Sequence, residues 1–170
     1  ELIDVEIANG VAGAGGGIAN EGNLKLLRSR VVDNQTEQAP GTAGNHGGGI
    51  FSDGPLALLR IEDGEIRDNE AEEDGGGIWV GSNPFVIHRS KLTDNVAGQT
   101  GGGLHAAVGT DGFEVQYAEL ARNRLVRGHQ EHRVTQGRLL PDTGQARQAL
   151  DDSTNPVGKH GTTPGRQRGG

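Results

Sequence analysis

Gly75-Gly-Gly-Ile78, followed by Phe85-Val-Ile-His-Arg-Ser-Lys-Leu-Thr-Asp-Asn95, is the stretch that decides the fold, because the chain repeats it. A glycine triplet followed by Ile or Leu recurs at Gly15 to Ile18, Gly47 to Ile50 and Gly101 to Leu104. The second element recurs as Leu24 to Asn34 and as Phe113 to Asn123. Leu56 to Asn69 reads as the same unit with three extra residues around Glu62-Asp63-Gly64, and Leu2 to Asn9 as a copy cut at its front. Successive closing Asn residues are 25, 35, 26 and 28 apart. A near-constant period with insertions at a few fixed points is the mark of a solenoid, whose insertions are loops on the corners of a common coil.

Within the repeat, apolar residues alternate: Leu24 and Leu26, Phe85 and Ile87, Phe113 and Val115. Period two means strands. Gly, Asn, Asp and Ser between them permit tight corners. Strands that recur once per coil stack in parallel, about 4.8 Å per rung, and the crossover rule gives a right-handed coil. The expected fold is all-β: a right-handed, single-stranded parallel β-helix of about 4–5 coils over 1–127, then an irregular or disordered tail over 128–170. In that register Leu24, Leu56, Phe85 and Phe113 form one interior column, and Leu26, Leu58, Ile87 and Val115 another. Asn9, Asn34, Asn69, Asn95 and Asn123 form a structural ladder, each at a left-handed corner and hydrogen-bonded to the Asn of the next coil.

These motifs resemble the repeats of secreted bacterial β-helix proteins of the pectin-lyase-like superfamily. The nearer likeness is to polymorphic outer-membrane-protein-type repeats, marked by Gly-Gly-Ala-Ile and Phe-x-x-Asn. Here the marks are Gly47-Gly-Gly-Ile50 and Val31-x-x-Asn34, with Val, Ile or Leu in place of the Phe. The resemblance covers Glu1 to Asn123. It implies an extracellular or cell-surface, outer-membrane-associated location and an adhesive or stalk role, and it implies no catalytic residue.

Composition removes other readings. The chain has 170 residues, of which 31 are glycine, with no cysteine and no methionine. Without Cys there is no disulfide scaffold, thiolate metal site or thiol nucleophile. No apolar run approaches the length of a membrane-spanning helix, and the glycines lack the three-residue period of collagen. With no Met, the chain reads as processed or as a fragment of a larger polypeptide. Glu1 to Asn123 carries 8 basic and 19 acidic residues (net −11), against 8 basic and 4 acidic (net +4) from Arg124 on. That balance argues against nucleic acid as a partner of the body. The tail has no aromatic residue and cannot bury much surface. A short helix over 144–152 is its one expected element.

The same fold houses polysaccharide lyases and hydrolases, so charged groups matter. Glu62 to Asp74 holds eight acidic residues in thirteen. Asp63, Asp68, Glu70, Glu72, Glu73 and Asp74 are the Ca²⁺ candidates, since Ca²⁺ takes oxygen ligands. The same carboxylates serve equally as a solvated acidic loop. Asp33, Asp68 and Asp94 form a column whose fourth member, Arg122, can pair with Asp94. Arg28, Arg60, Arg89 and Tyr117 read as a stripe suited to a polyanion or glycan, or as partners of nearby carboxylates. The histidines His46, His88, His105, His129, His132 and His160 are scattered, and His129-Gln-Glu-His132 lacks a zinc spacing. The leading expectation is a non-enzymatic structural or adhesive segment of a secreted or surface protein. It uses no cofactor, and its partners are a polysaccharide or a cell-surface ligand. A polysaccharide lyase or glycoside hydrolase fragment, and a Ca²⁺- or glycan-binding module, are the rivals.

Overall fold

A computed structural model describes residues 1–37, 44–107 and 112–127, and two short strands beyond them. The chain is a parallel β-solenoid of about four turns, with no helix among the described residues. Each turn visits four sheets. The first contains Leu2–Ile3, Asn23–Leu27, Leu58–Glu62, Phe85–His88 and Glu114–Gln116. The second contains Glu6–Ala8, Arg30–Val32, Glu65–Arg67, Lys91–Thr93 and Glu119–Ala121. The third contains Val11–Ala12, Gln35–Thr36, Glu70–Ala71, Val96–Ala97 and Arg124–Arg127. The fourth contains Ile18–Asn20, Ile50–Ser52, Ile78–Val80 and Leu104–Ala106. Neighbouring strands within these sets are parallel throughout.

The interior is a set of aliphatic columns. Leu2, Leu26, Ile61, Ile87 and Val115 stack in one, and Ile7, Val31, Ile66, Leu92 and Leu120 in another. Ile18, Ile50, Ile78 and Leu104 line the fourth sheet. Leu24, Leu59 and Phe85 complete the first, and the Phe113 ring stacks on Phe85 at 5.6 Å. A coil this narrow has room for branched aliphatics and few rings, which accounts for the scarcity of aromatics.

One expected register is corrected. Leu56 is 80% exposed, and Leu59 and Ile61 take the interior positions assigned to Leu56 and Leu58. Leu59 lies ten residues before Asn69, as Leu24 does before Asn34 and Phe85 before Asn95. The extra residues therefore sit before the strand, at the turn through Gly54-Pro55-Leu56, and not at Glu62-Asp63-Gly64. Proline cannot donate to a ladder and belongs at such a turn. Because side chains alternate faces, an odd shift turns the whole strand over.

The glycine triplets have three different jobs. Gly15, Gly47, Gly75 and Gly101 take positive φ of 62–68°, a region that penalises a Cβ. A Cβ on Gly76 would lie 2.5 Å from the Gly102 oxygen, and one on Gly48 equally close to the Gly76 oxygen. A Cβ on Gly77 would lie 3.0 Å from the Asn95 amide carbon, and Gly49 and Asn69 repeat the contact. The two halves of the repeat thus face each other across one seam.

The C-terminal end is partly closed. Gln130–Arg133 runs antiparallel to Arg124–Arg127, and Gly137–Arg138 antiparallel to Glu119–Ala121. Antiparallel strands stop the parallel stack and cover sheet edges that would otherwise pair with another chain. The rest of the tail, including the helix expected over 144–152, lies outside the described residues. No helix among those described is long and apolar enough to cross a membrane.

Candidate functional site

Asn34, Asn69, Asn95 and Asn123 form a buried ladder. The Oδ1 atoms of Asn69, Asn95 and Asn123 each accept both the backbone and side-chain N–H of the preceding Asn, at 3.0–3.1 Å from Asn34 to Asn69 and 3.0 Å from Asn95 to Asn123. Each Nδ2 also donates to a strand carbonyl, as Asn69 does to Val31 at 3.0 Å. Two details differ from expectation. The left-handed residue is the one before each ladder Asn: Asp33, Asp68, Asp94 and Arg122, with φ of 53–57°. Asn9 belongs to that corner column, with φ of 60°, since Ala8 pairs with Val32. Gly10 occupies the first ladder position and donates its N–H to Asn34 Oδ1 at 2.9 Å. The truncated copy is one residue out of phase with the reading that ended it at Asn9.

The proposed arginine stripe is not continuous. Arg60 pairs in register with Lys25 and Val86, on the outer face of the first sheet, and contacts Glu62 at 3.4 Å. Its expected place is taken by Asp63, a consequence of the same strand shift. The corner column runs Asp4, Arg28, Asp63, Arg89, Tyr117, all at positive φ. Arg28 clasps Asp4 through Nε and Nη2 at 2.8 and 2.7 Å, and Arg89 clasps Asp63 at 2.7 and 2.9 Å. Tyr117 stands exposed at the end of the column. At the neighbouring corner Arg122 clasps Asp94 in the same bidentate way, and Asp68 is held by Arg67. Hydrogen bonds from these arginines hold the Asp4, Asp63 and Asp94 carboxyls below the ordinary aspartate value. A third column, Glu6, Arg30, Glu65, Lys91, Glu119, alternates in sign from rung to rung.

The acidic run from Glu62 to Asp74 is spread over three of the four sheets and the corners that follow them. Asp63 and Asp68 lie at two different corners, and Glu70 points out from the third sheet. Glu72 accepts from Asn45 Nδ2 at 2.7 Å, while Glu73 and Asp74 face His46 at 3.7 and 3.6 Å. Among the described residues no three His, Cys, Asp or Glu are grouped to hold a metal ion.

The fourth sheet carries a cluster that sequence reading left scattered. Ala19, Phe51, Trp79 and His105 share one outward column, each one residue after the Ile or Leu of its triplet. Trp79 stacks on Phe51 at 4.8 Å and on His105 at 6.2 Å, with planes within 5° and 3° of parallel. His46 stacks on Trp79 at 5.1 Å. Beside the stack, Thr100 donates N–H and Oγ1–H to Asp74 Oδ1 at 3.0 and 2.6 Å. An ionised carboxylate only accepts, so the Thr100 proton is committed there. His105 Nδ1, 2.7 Å from Thr100 Oγ1, therefore carries its own proton and donates it. Burial lowers the His105 pKa, which keeps the ring neutral. Stacked this way, the rings spend their faces on each other. Aligning the four triplets and reading one position onward finds this column in the sequence.

No protein-family model, no curated protein and no solved structure matches this chain.

Proposed function

We propose that this chain is a non-enzymatic β-helix segment with a structural or adhesive role in a secreted or cell-surface bacterial protein. In this reading it is of the pectin-lyase-like kind, with repeats of the polymorphic outer-membrane-protein type. One observation carries the proposal: the repeated polar side chains are spent binding coil to coil. The Asn amides bond one another inside, and Arg28, Arg89 and Arg122 are each clasped by the Asp of the preceding coil. A solenoid is stabilised by such nearest-neighbour terms, which suit a stiff rod. The lysines and arginines of Glu1 to Asn123 are each taken up by a carboxylate, leaving an acidic surface and the exposed columns to meet partners.

The test is surface localisation. An antibody raised against the solenoid should label unpermeabilised producing cells, or the protein should be recovered from their medium. Detection in the cytosol alone would overturn the proposal. Incubation with a panel of uronic-acid polymers should yield neither unsaturated products nor new reducing ends, and turnover of any of them would replace this reading with the polysaccharide-active one.

A further inference from the structure

The coil from Leu2 to Asn20 has a neighbour on one side only. Its strands Leu2–Ile3, Glu6–Ala8, Val11–Ala12 and Ile18–Asn20 each stand at the edge of their sheet among the described residues. An edge strand presents backbone N–H and C=O groups that can pair with a further strand. The opposite end of the solenoid is partly covered by its antiparallel strands. Burial is also unfinished at the first coil. Leu2, Ile7 and Ile18 are half-buried, whereas Ile61, Ile66 and Ile78, which hold the same interior positions two coils on, are fully buried. Beside this apolar strip stand three exposed carboxylates, Glu1, Asp4 and Glu6. Each meets a cation of the next coil: Lys25, Arg28 and Arg30 respectively.

Two columns fix the charge of whatever is seated there. The corner column alternates Asp4, Arg28, Asp63, Arg89, and the column beside it alternates Glu6, Arg30, Glu65, Lys91, Glu119. Opposite charges on neighbouring strands attract, and like charges directly opposite repel. The next member of both columns, on the open side, is therefore a cation. We propose that this edge is an interaction surface that seats a basic β-segment of a partner protein, in parallel register, with Arg or Lys opposite both Asp4 and Glu6. Main-chain bonds along the edge and burial of Leu2 and Ile7 supply the attachment, and the two charged positions supply the selection. The amide ladder cannot select, because Gly10 stands at its first position and has no side chain to offer. The same pattern turns away a second copy of this chain. The far coil carries Glu114 in the column of Lys25 and Glu119 in the column of Glu6. Stacking that end on this edge in register would set Glu114 against Glu1 and Glu119 against Glu6, and two such edges face to face would oppose carboxylates again.

The probe is a synthetic peptide of residues 23–36, the basic coil that already meets Asp4 and Glu6 from the other side. In the same register on the open side it sets Arg28 opposite Asp4 and Arg30 opposite Glu6. The peptide, carrying a fluorescent label, is titrated with the intact chain at low ionic strength, where exposed charges are least screened, and anisotropy reads the binding. Saturable binding is expected. The R30E peptide should bind about tenfold more weakly, since one attraction becomes a repulsion. The E6K chain should reverse that order and prefer the R30E peptide. The milder E6Q chain should narrow the gap between the two peptides, which keeps the test decisive if circular dichroism finds E6K unfolded. E119K should behave as the parent chain, placing the peptide at this end and not the other. Sedimentation should find the chain monomeric. Absence of saturable binding, equal affinity for the two peptides, an order unchanged in both E6K and E6Q, an order reversed in E119K, or a stable dimer would overturn the proposal. None of these outcomes bears on where the protein is located, so the docking edge and the proposed function fail separately.

Discussion

Replacing Asn69 by alanine tests the ladder at its most enclosed point. Asn69 is fully buried and makes four side-chain hydrogen bonds. Its Oδ1 accepts Asn34 N–H and Asn34 Nδ2–H at 3.1 and 3.0 Å, and its Nδ2 donates to Val31 O and Asn95 Oδ1 at 3.0 and 2.9 Å. Alanine orphans both Asn34 donors in a space that water does not reach. Asn95 Oδ1 keeps the Asn69 backbone N–H at 3.1 Å and is not orphaned. Two buried donors at about 1–3 kcal/mol each, with Val31 O less well satisfied, give a loss of about 3–5 kcal/mol. That is a large fraction of the roughly 5–15 kcal/mol by which domains are stable. Urea denaturation followed by circular dichroism measures it, as a shift in midpoint at constant slope. Glu70→Ala is the control: the next residue, exposed, and expected within about 0.5 kcal/mol of the parent. If Asn69→Ala lost less than about 1 kcal/mol, or no more than the control, the ladder would not carry the coil-to-coil energy assigned to it.

The corrected register is checked by a pair of leucines: Leu59→Ala should cost about 2–5 kcal/mol as a cavity in the core, and Leu56→Ala within about 0.5 kcal/mol, and the reverse order would reject the register. Gly76→Ala should fold poorly or not at all, because its Cβ meets the backbone of Val96 and of Gly102, whereas Gly22→Ala, with open space around it, should be neutral by thermal melting. The arginine clasps predict acid sensitivity. Unfolded, the Asp4, Asp63 and Asp94 carboxyls protonate near their ordinary value of about 3.9; folded, their arginines hold them lower. Their contribution is therefore complete above that value and lost as pH falls through the folded pKa, so melting temperatures at pH 7, 4 and 2 should decline below pH 4, and less so in Arg89→Met. Millimolar Ca²⁺ should leave the melting temperature unchanged, since the acidic run is dispersed around the coil; a clear rise would restore the calcium reading.

Much of this was legible because a solenoid writes its architecture along the chain. Every coil repeats the same local problem, so Gly-Gly-Gly-Ile and x-x-Asn recur wherever the backbone turns. What misled was phase. Leu56, Leu58 and Leu59 are all apolar, and only Gly54-Pro55 hinted which of them begins the strand. That one shift also placed Arg60 in the wrong column and hid Asp63 as the partner of Arg89. The copy at Leu2 carried the same ambiguity, with Asn9 and Gly10 adjacent and one side chain too few to choose between them. The aromatic column was hidden differently: Ala19, Phe51, Trp79 and His105 share a position and not a residue type, and His46 joins them from a corner that is not part of the repeat.

By itself, the sequence determined that this protein is a parallel all-β coil, because glycine spacing and period-two apolarity leave no other way to bury one face per turn. Only the tertiary structure decided which carboxylate meets which arginine. Those pairs span 24 to 28 residues of chain, and their identity depends on how each coil is registered on the last. A shift of one residue costs nothing in local propensity, yet it turns every side chain of the strand to the other face.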